Sequence, residues 1–262
     1  MFYHNLDPII FDFGFLEVRW YSLAYIFGIL IGWWYGKIII IKKFQTFEKK
    51  FNLTLFDDLI TYLIISIILG GRLGYVIFYN LEFYLNNIFE ILMIWKGGMS
   101  FHGALIGIIV ATFIFARLNK INTFLLLDLI SMSAPIGIFL GRIANFINSE
   151  LYGRETNFIW SVKFLKVDEI SRHPSQIYEA IFEGIILFLL LNFIFKKYLY
   201  KTPGLISALF LIFYSFFRFF IEFTREPDMQ IGYIFLNLTL GQILSILFLL
   251  FGIFLFYKKN ET

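Results

Sequence analysis

The sequence predicts an all-α polytopic membrane protein of about seven transmembrane helices, with an outside N-terminus, a cytoplasmic C-terminus and a small cap on the outer side. Three observations predict it. The 262 residues are 59% hydrophobic and only 16% charged, with a mean hydropathy of +0.77, far more apolar than a soluble core of that size requires. Apolar runs of bilayer-crossing length, about 20 residues each, recur between charged breaks. The basic residues alternate in density from one break to the next, as they do when loops sort to opposite sides of a membrane.

The runs place helices at roughly 21–41, 57–79, 99–116, 124–147, 177–195, 204–223 and 237–257. Lys42, Lys43, Lys49 and Lys50 follow the first helix, Arg117 and Lys120 the third, Lys196, Lys197 and Lys201 the fifth, and Lys258 and Lys259 the seventh. The opposite side holds Arg19, Lys96, Arg154, Lys163, Lys166, Arg172 and Arg225, spread over longer segments and mixed with acids. By the positive-inside rule the denser side is cytoplasmic, which leaves the N-terminus outside. Residues 1–262 read as one membrane-embedded domain. Residues 80–98 look like an amphipathic, interfacial arm, and residues 148–176, the most polar stretch, like a cap.

Composition excludes several chemistries. A net charge of +3 with lysines clustered between apolar runs fits membrane topology and not a nucleic-acid partner. With no cysteine there is no disulfide, no thiolate metal site and no enzyme thiol. The first twenty residues carry Asp7, Asp12 and Glu17 before an apolar core begins, unlike a cleaved signal peptide. No pair among His4, His102 and His173 has metal-ligand spacing, so neither metal nor cofactor is expected. No internal repeat is visible. Glycines recur at helix-packing intervals: Gly28, Gly32 and Gly36; Gly70 and Gly74; Gly103 and Gly107; Gly137 and Gly141.

Polar residues inside the spans carry the functional signal. An arginine near the middle of a spanning helix costs on the order of 2.5–3.5 kcal/mol, so Arg72, Arg142 and Arg218 each need a partner or a task. The topology puts all three toward the outer ends of their helices, together with His102 and Tyr21. Arg142 and Asn145 share a helix face, as do Tyr214, Arg218 and Glu222. Two cationic faces suit one anion, because guanidinium forks grip phosphate bidentately, and the anion at that depth is a phospholipid headgroup. The competing reading pairs Arg218 with Glu222 and Arg142 with Glu150 merely to neutralise buried charge. His102 sits in Gly-Gly-Met-Ser-Phe-His-Gly, where small residues allow close approach to the backbone; from position alone it is more readily a packing or hydrogen-bonding residue than a base. His173, before Pro174, serves as well for capping as for function, and His4 is terminal and uninformative.

Residues 141–153, Gly-Arg-Ile-Ala-Asn-Phe-Ile-Asn-Ser-Glu-Leu-Tyr-Gly, resemble the signature of the prolipoprotein diacylglyceryl transferase family. Further segments agree in order: Arg19-Trp20-Tyr21, Gly70 to Tyr75, Gly97 to Gly107, Arg172 to Gln176, and Tyr214 to Asp228. The resemblance covers almost the whole chain. It implies seven spans and a bacterial inner-membrane enzyme facing the outer leaflet. That enzyme transfers the diacylglyceryl group of phosphatidylglycerol to the lipobox cysteine of prolipoproteins, forming a thioether and releasing glycerol phosphate. It implies essential positions at Tyr21, His102, Arg142, Asn145, Glu150, Gly153, Arg218 and Glu222, with Tyr214 and Arg72 in support of the lipid headgroup. Ala104 stands where many relatives have glycine. A lipid transporter or scramblase would also use membrane arginines, but it needs polar lining through both leaflets, and the inner half offers little beyond Lys37. A purely structural subunit leaves the buried arginines unexplained.

Overall fold

The computed structural model describes residues 1–14, 17–42, 51–198, 202–227 and 232–260. Of the residues used above, Lys43, Lys49, Lys50, Lys201 and Asp228 lie outside that set. The chain divides into two compact units, Met1–Gly36 with Asp128–Thr262, and Lys37–Leu127. Seven helices among the described residues are long and apolar enough to cross a bilayer: Trp20–Ile41, Leu53–Tyr79, His102–Asn119, Thr123–Ile147, Ser175–Phe195, Leu205–Thr224 and Leu240–Lys258. All seven predicted spans are present. Their exposed faces carry large apolar side chains, such as Leu30 and Trp34 on the first and Leu250 and Phe254 on the last, as lipid-facing helices do.

The smaller unit is built on α2 (Leu53–Tyr79) and α4 (Phe101–Asn119). Asn52 caps the first, accepting from Leu55 N at 2.9 Å, and Ser100 caps the second, accepting from Gly103 N at 3.2 Å. The two helices pack backbone to backbone. A Cβ on Gly103 would sit 2.2 Å from the Gly70 carbonyl oxygen, and one on Gly107 2.4 Å from that of Ser66. The predicted packing role of these glycines holds, whereas a Cβ on Gly137 or Gly141 would meet nothing within 4 Å. Those two are not required by helix contact, and Gly141 leaves open space beside Arg142.

Between α2 and α4 the 80–98 segment forms α3 (Leu81–Asn86) and two 3-10 turns, Ile88–Leu92 and Ile94–Lys96. Its exposed side is strongly apolar, with Phe89, Leu92 and Trp95 at least three-quarters exposed. Arg72 of α2 pins it. Its Nε donates to Ile91 O at 2.9 Å, Nη2 to Glu90 O at 2.6 Å and Met93 O at 3.2 Å, and Nη1 to the carbonyls of Gly97 and Gly98. The guanidinium also lies 5.1 Å from the Tyr84 ring centroid. All five N–H donors are engaged, so Arg72 has none left for a phosphate, and its expected role at the headgroup is replaced by a structural one. Arg72→Ala should therefore free the carbonyls of this segment and cost on the order of 3 kcal/mol or more. The loss is expected as a lower melting temperature in detergent and new protease cleavage within residues 80–98.

The larger unit begins with β1 (Phe2–His4), β2 (Ile9–Asp12) and β3 (Glu17–Arg19), then α1 (Trp20–Lys42). After α5 (Thr123–Ile147) comes the cap, which the N-terminus completes. Strand β1 pairs in parallel with β4 (Val162–Phe164), which pairs antiparallel with β5 (Ser171–Arg172). The chain then runs through α6 (Ser175–Glu179), a π-helical turn (Ala180–Ile186) and α7 (Leu187–Tyr198). Helix α8 (Leu205–Ile221) borrows its N-terminal cap from α5: buried Asp128 accepts from Gly204 N and Ser207 N, both at 2.7 Å, and from Ser207 Oγ at 2.6 Å. A hairpin, β6 (Tyr233–Phe235) and β7 (Leu238–Thr239), leads into α9 (Leu240–Asn260).

Candidate functional site

Four helical elements of the larger unit bring guanidinium and carboxylate groups into one buried cluster. Arg142 comes from α5, Glu179 from α6, Glu183 from the π-helical turn, and Arg218 from the end of α8. Gly184 permits the approach: a Cβ there would lie 2.7 Å from the Phe139 Cβ, so the π turn rests directly on α5. Arg142 Nε lies 3.1 Å from Glu179 Oε2, and its Nη2 3.5 Å from Glu183 Oε2. Arg218 donates through Nη1 to Glu179 Oε1 and reaches Glu183 Oε1 at 3.7 Å. Glu179 thus bridges the two arginines, and both it and Glu183 are fully buried.

Glu222, opening the 3-10 turn Glu222–Thr224 after α8, extends the cluster. Its Oε2 lies 2.7 Å from Arg218 Nη2 and 3.9 Å from Arg225 Nη1, while Oε1 accepts from Thr239 Oγ1 at 2.9 Å. Gly241 makes room for this carboxylate, because a Cβ there would lie 2.8 Å from Glu222 Oε1. Three guanidiniums face three carboxylates among the described residues, which offsets much of the desolvation cost of each. With cations and carboxylates matched in number, what the cluster can offer an anion is free donors more than surplus charge. Arg142 supplies them: its side chain is 18% exposed, its Nη1 contacts no carboxylate among the described residues, and space opens beside Gly141.

Asn145 lies one turn beyond Arg142 on α5, buried, and donates through Nδ2 to Glu150 Oε2 at 3.2 Å. The Glu150 side chain is exposed and also accepts from Asn148 at 3.4 Å. The anticipated Arg142–Glu150 pair does not form: the turn after α5 aims Glu150 at the asparagines, and Glu179 and Glu183 take the arginine. The Arg218–Glu222 pair does form. Tyr21, at the start of α1, hydrogen-bonds Tyr25 at 3.2 Å and lies within electrostatic reach of Glu150 and Arg142. Tyr214, one turn before Arg218, lies within reach of both arginines, Glu179 and Glu183.

Gly153 stands where the cap meets the end of α8. Its N–H donates to His173 O at 3.0 Å, its carbonyl accepts from Arg172 Nη1 at 3.2 Å, and it bridges Arg225. The segment Arg172 to Gln176 secures the same junction: Ser175 Oγ donates to Leu151 O at 2.9 Å and Gln176 Nε2 to Glu150 O at 2.6 Å. Arg172 pairs with Asp168 at 2.6 Å, which holds that carboxyl below the usual carboxylate range. The His173 Nδ1 lies 3.2 Å from Tyr178 Oη, and burial lowers its pKa. His102 belongs to the other unit, exposed in the first turn of α4.

Larger unit, then, gathers Tyr21, Arg142, Asn145, Glu150, Gly153, Tyr214, Arg218 and Glu222, and adds Glu179, Glu183 and Arg225, which sequence reasoning missed. The signal for the first two was present: carboxylates four residues apart inside an apolar run are as costly as arginines and call for the same question. His4, read as uninformative, is completely buried and lies 3.1 Å from Ser149 Oγ.

The family model for prolipoprotein diacylglyceryl transferase matches residues 8–258. A protein of Rickettsia bellii (strain OSU 85-389), called phosphatidylglycerol–prolipoprotein diacylglyceryl transferase, is 54% identical over 261 residues, 99% of this chain and 98% of its own. Proteins of the same description from Rickettsia felis and Rickettsia typhi are each 52% identical, covering 99% and 98% of this chain and of their own lengths respectively.

Proposed function

Since the chain belongs to the prolipoprotein diacylglyceryl transferase family, we infer that it transfers the diacylglyceryl group of phosphatidylglycerol to prolipoproteins, the first step of lipoprotein maturation, as a multi-pass bacterial membrane protein. We propose further that the acceptor is the lipobox cysteine thiol, that the membrane is the cytoplasmic one, and that the site faces its outer leaflet. The observation that carries the site assignment is the contrast between two membrane arginines. Arg72 has every donor committed to carbonyls, whereas Arg142 is partly exposed, is held by two carboxylates and keeps donors free.

The reaction displaces a phosphate ester from a glyceryl carbon by sulfur. The S–C bond forms as the C–O bond breaks, the thiol proton goes to a base, and glycerol phosphate leaves with the electron pair. Arg142 and Arg218 hold the phosphate in line and stabilise the charge that grows on the leaving oxygen. Glu179, Glu183 and Glu222 fix the two guanidinium planes. Asn145, Glu150, Tyr21 and Tyr214 present hydrogen-bonding groups to the headgroup glycerol. No step requires a metal or cofactor.

Deprotonation of the thiol falls to His102 in this reading. A cysteine with a pKa near about 8.5 is only a few per cent thiolate at neutral pH, so a general base raises the fraction that can attack. His102→Gln is expected to lower kcat about a hundredfold at pH 7. The deficit should narrow as pH rises toward about 8.5, where the thiol ionises unaided. Near-normal transfer at pH 7 would remove the base role. The reading as a whole is tested with purified protein in detergent, phosphatidylglycerol labelled in its acyl chains and a lipobox peptide. Label should appear on the peptide as an alkali-stable thioether and be absent from a Cys→Ser peptide. Folded protein that moves label between leaflets of a vesicle without modifying the peptide would point to lipid transport instead.

A further inference from the structure

The turn at residues 149–151 is anchored more heavily than its length requires. Glu150 lies between two non-glycine residues in the left-handed region, Ser149 at φ 59° and Leu151 at φ 55°. Such backbone persists only where the surroundings over-determine it. Gln176 and Ser175 hold the carbonyls of Glu150 and Leu151 from the C-terminal side. The third anchor comes from the other end of the chain: His4 Nδ1 lies 3.1 Å from Ser149 Oγ.

His4 is fully buried on strand β1, edge-on to Phe146 at 4.8 Å and beside Phe164 at 5.1 Å. Its backbone is fixed by the pairing with β4 and by Leu165 N, which donates to His4 O at 3.1 Å. A phenylalanine or leucine would fill this aromatic pocket without leaving a buried polar atom, yet His4 Nε2 has no hydrogen-bond partner. Packing alone does not explain an imidazole here.

We propose that His4 is a positioning residue for the transfer reaction: its neutral imidazole fastens Ser149 and so fixes the backbone that presents Glu150 and, through Glu150, the amide of Asn145. The inference rests on the assignment of Glu150 and Asn145 to the transfer site. A pH dependence follows. The charged group set against His4 is Lys166, on the turn after β4, while α5 contributes the Phe146 carbonyl and the Ser149 hydroxyl. Burial and Lys166 disfavour the cation more than the Phe146 carbonyl and the residue's own carbonyl favour it, so the pKa is lowered from its ordinary value near 6.5. Above about pH 6.5 the imidazole is neutral docked or released; below it, a released strand takes up the proton that docked His4 refuses, and docking weakens.

The test compares the full-length wild type with His4→Asn, which keeps a neutral hydrogen-bonding group near the Nδ1 position, His4→Phe, which keeps only the packing, and Glu150→Gln as reference. Transfer at pH 7.5 should fall about tenfold in His4→Phe and stay within about threefold of wild type in His4→Asn. Between pH 7.5 and 5 the ratio of His4→Asn to wild-type activity should rise, since only the wild type carries the titrating anchor. The thiol's own ionisation cancels in that ratio. A harmful Glu150→Gln beside a His4→Phe of wild-type rate, or a ratio that stays constant with pH, overturns this inference and leaves the site reading intact. A harmless Glu150→Gln removes both.

Discussion

Replacing Arg218 by alanine is expected to lower transfer by at least about a thousandfold, and lysine is expected to restore little of it. Two effects combine. In the proposed mechanism Arg218 helps carry the charge arriving on the phosphate in the transition state, and a preorganised donor of that kind is worth about 3–4 kcal/mol. In the resting protein it is the shared partner of Glu179 and Glu222, two buried carboxylates that its removal leaves without their nearest cation. Lysine supplies one charge but not the fork that reaches Glu179 through Nη1 and Glu222 through Nη2 together. The check is a kinetic split on protein verified as folded by its melting curve. A rise in KM with kcat unchanged would mean that Arg218 only binds lipid; a fall in kcat places it at the charge that develops.

Gly153→Ala is expected to be the most damaging single methyl in the cap. The added carbon would lie 2.4 Å from His173 O, 2.6 Å from the His173 Cβ and 2.7 Å from Thr224 O, so backbone closes on it from two sides. Neither can yield without breaking the bond from Gly153 N to His173 O or that from Arg154 N to Thr224 O. A cost of at least about 3 kcal/mol follows, with loss of the junction that orders Glu150 and the end of α8. Gly141→Ala is the matched control: its methyl meets nothing within 4 Å on the same polypeptide. Melting temperatures of the two variants should diverge sharply, and similar values would show that the junction adapts.

The bilayer made the spans legible. Backbone that crosses lipid must satisfy itself as helix, and its side chains must be apolar for about 20 residues, a pattern no loop imitates. The cap lacked any such signature. Its sheet joins residues 2–4 to residues 162–164 through three-residue strands too short to show a period, so the part played by His4 could not be read locally. The site was half legible for a similar reason. Arg142 and Arg218 announced themselves as costly cations, but their partners were sought among acids nearby in sequence. That rule found Glu222, four residues from Arg218, and failed for Arg142, whose partners come from another helix. Arg72 shows the limit of the argument from cost: a membrane arginine needs occupation, and carbonyls of its own chain supply it as well as a lipid phosphate does.

The central claim is that diacylglyceryl transfer takes place at the arginine pair held by Glu179 and Glu183. It is tested most directly by Arg142→Ala, because Arg142 is the more exposed of the two, at 18% of its side chain against 10%. Purified variant and wild type, matched in melting behaviour, are given labelled phosphatidylglycerol and a lipobox peptide at saturating lipid. The account predicts a labelled thioether from the wild type and no product above background from the variant. A folded Arg142→Ala protein that modifies the peptide at a rate near that of the wild type would contradict it and move the chemistry elsewhere in the molecule.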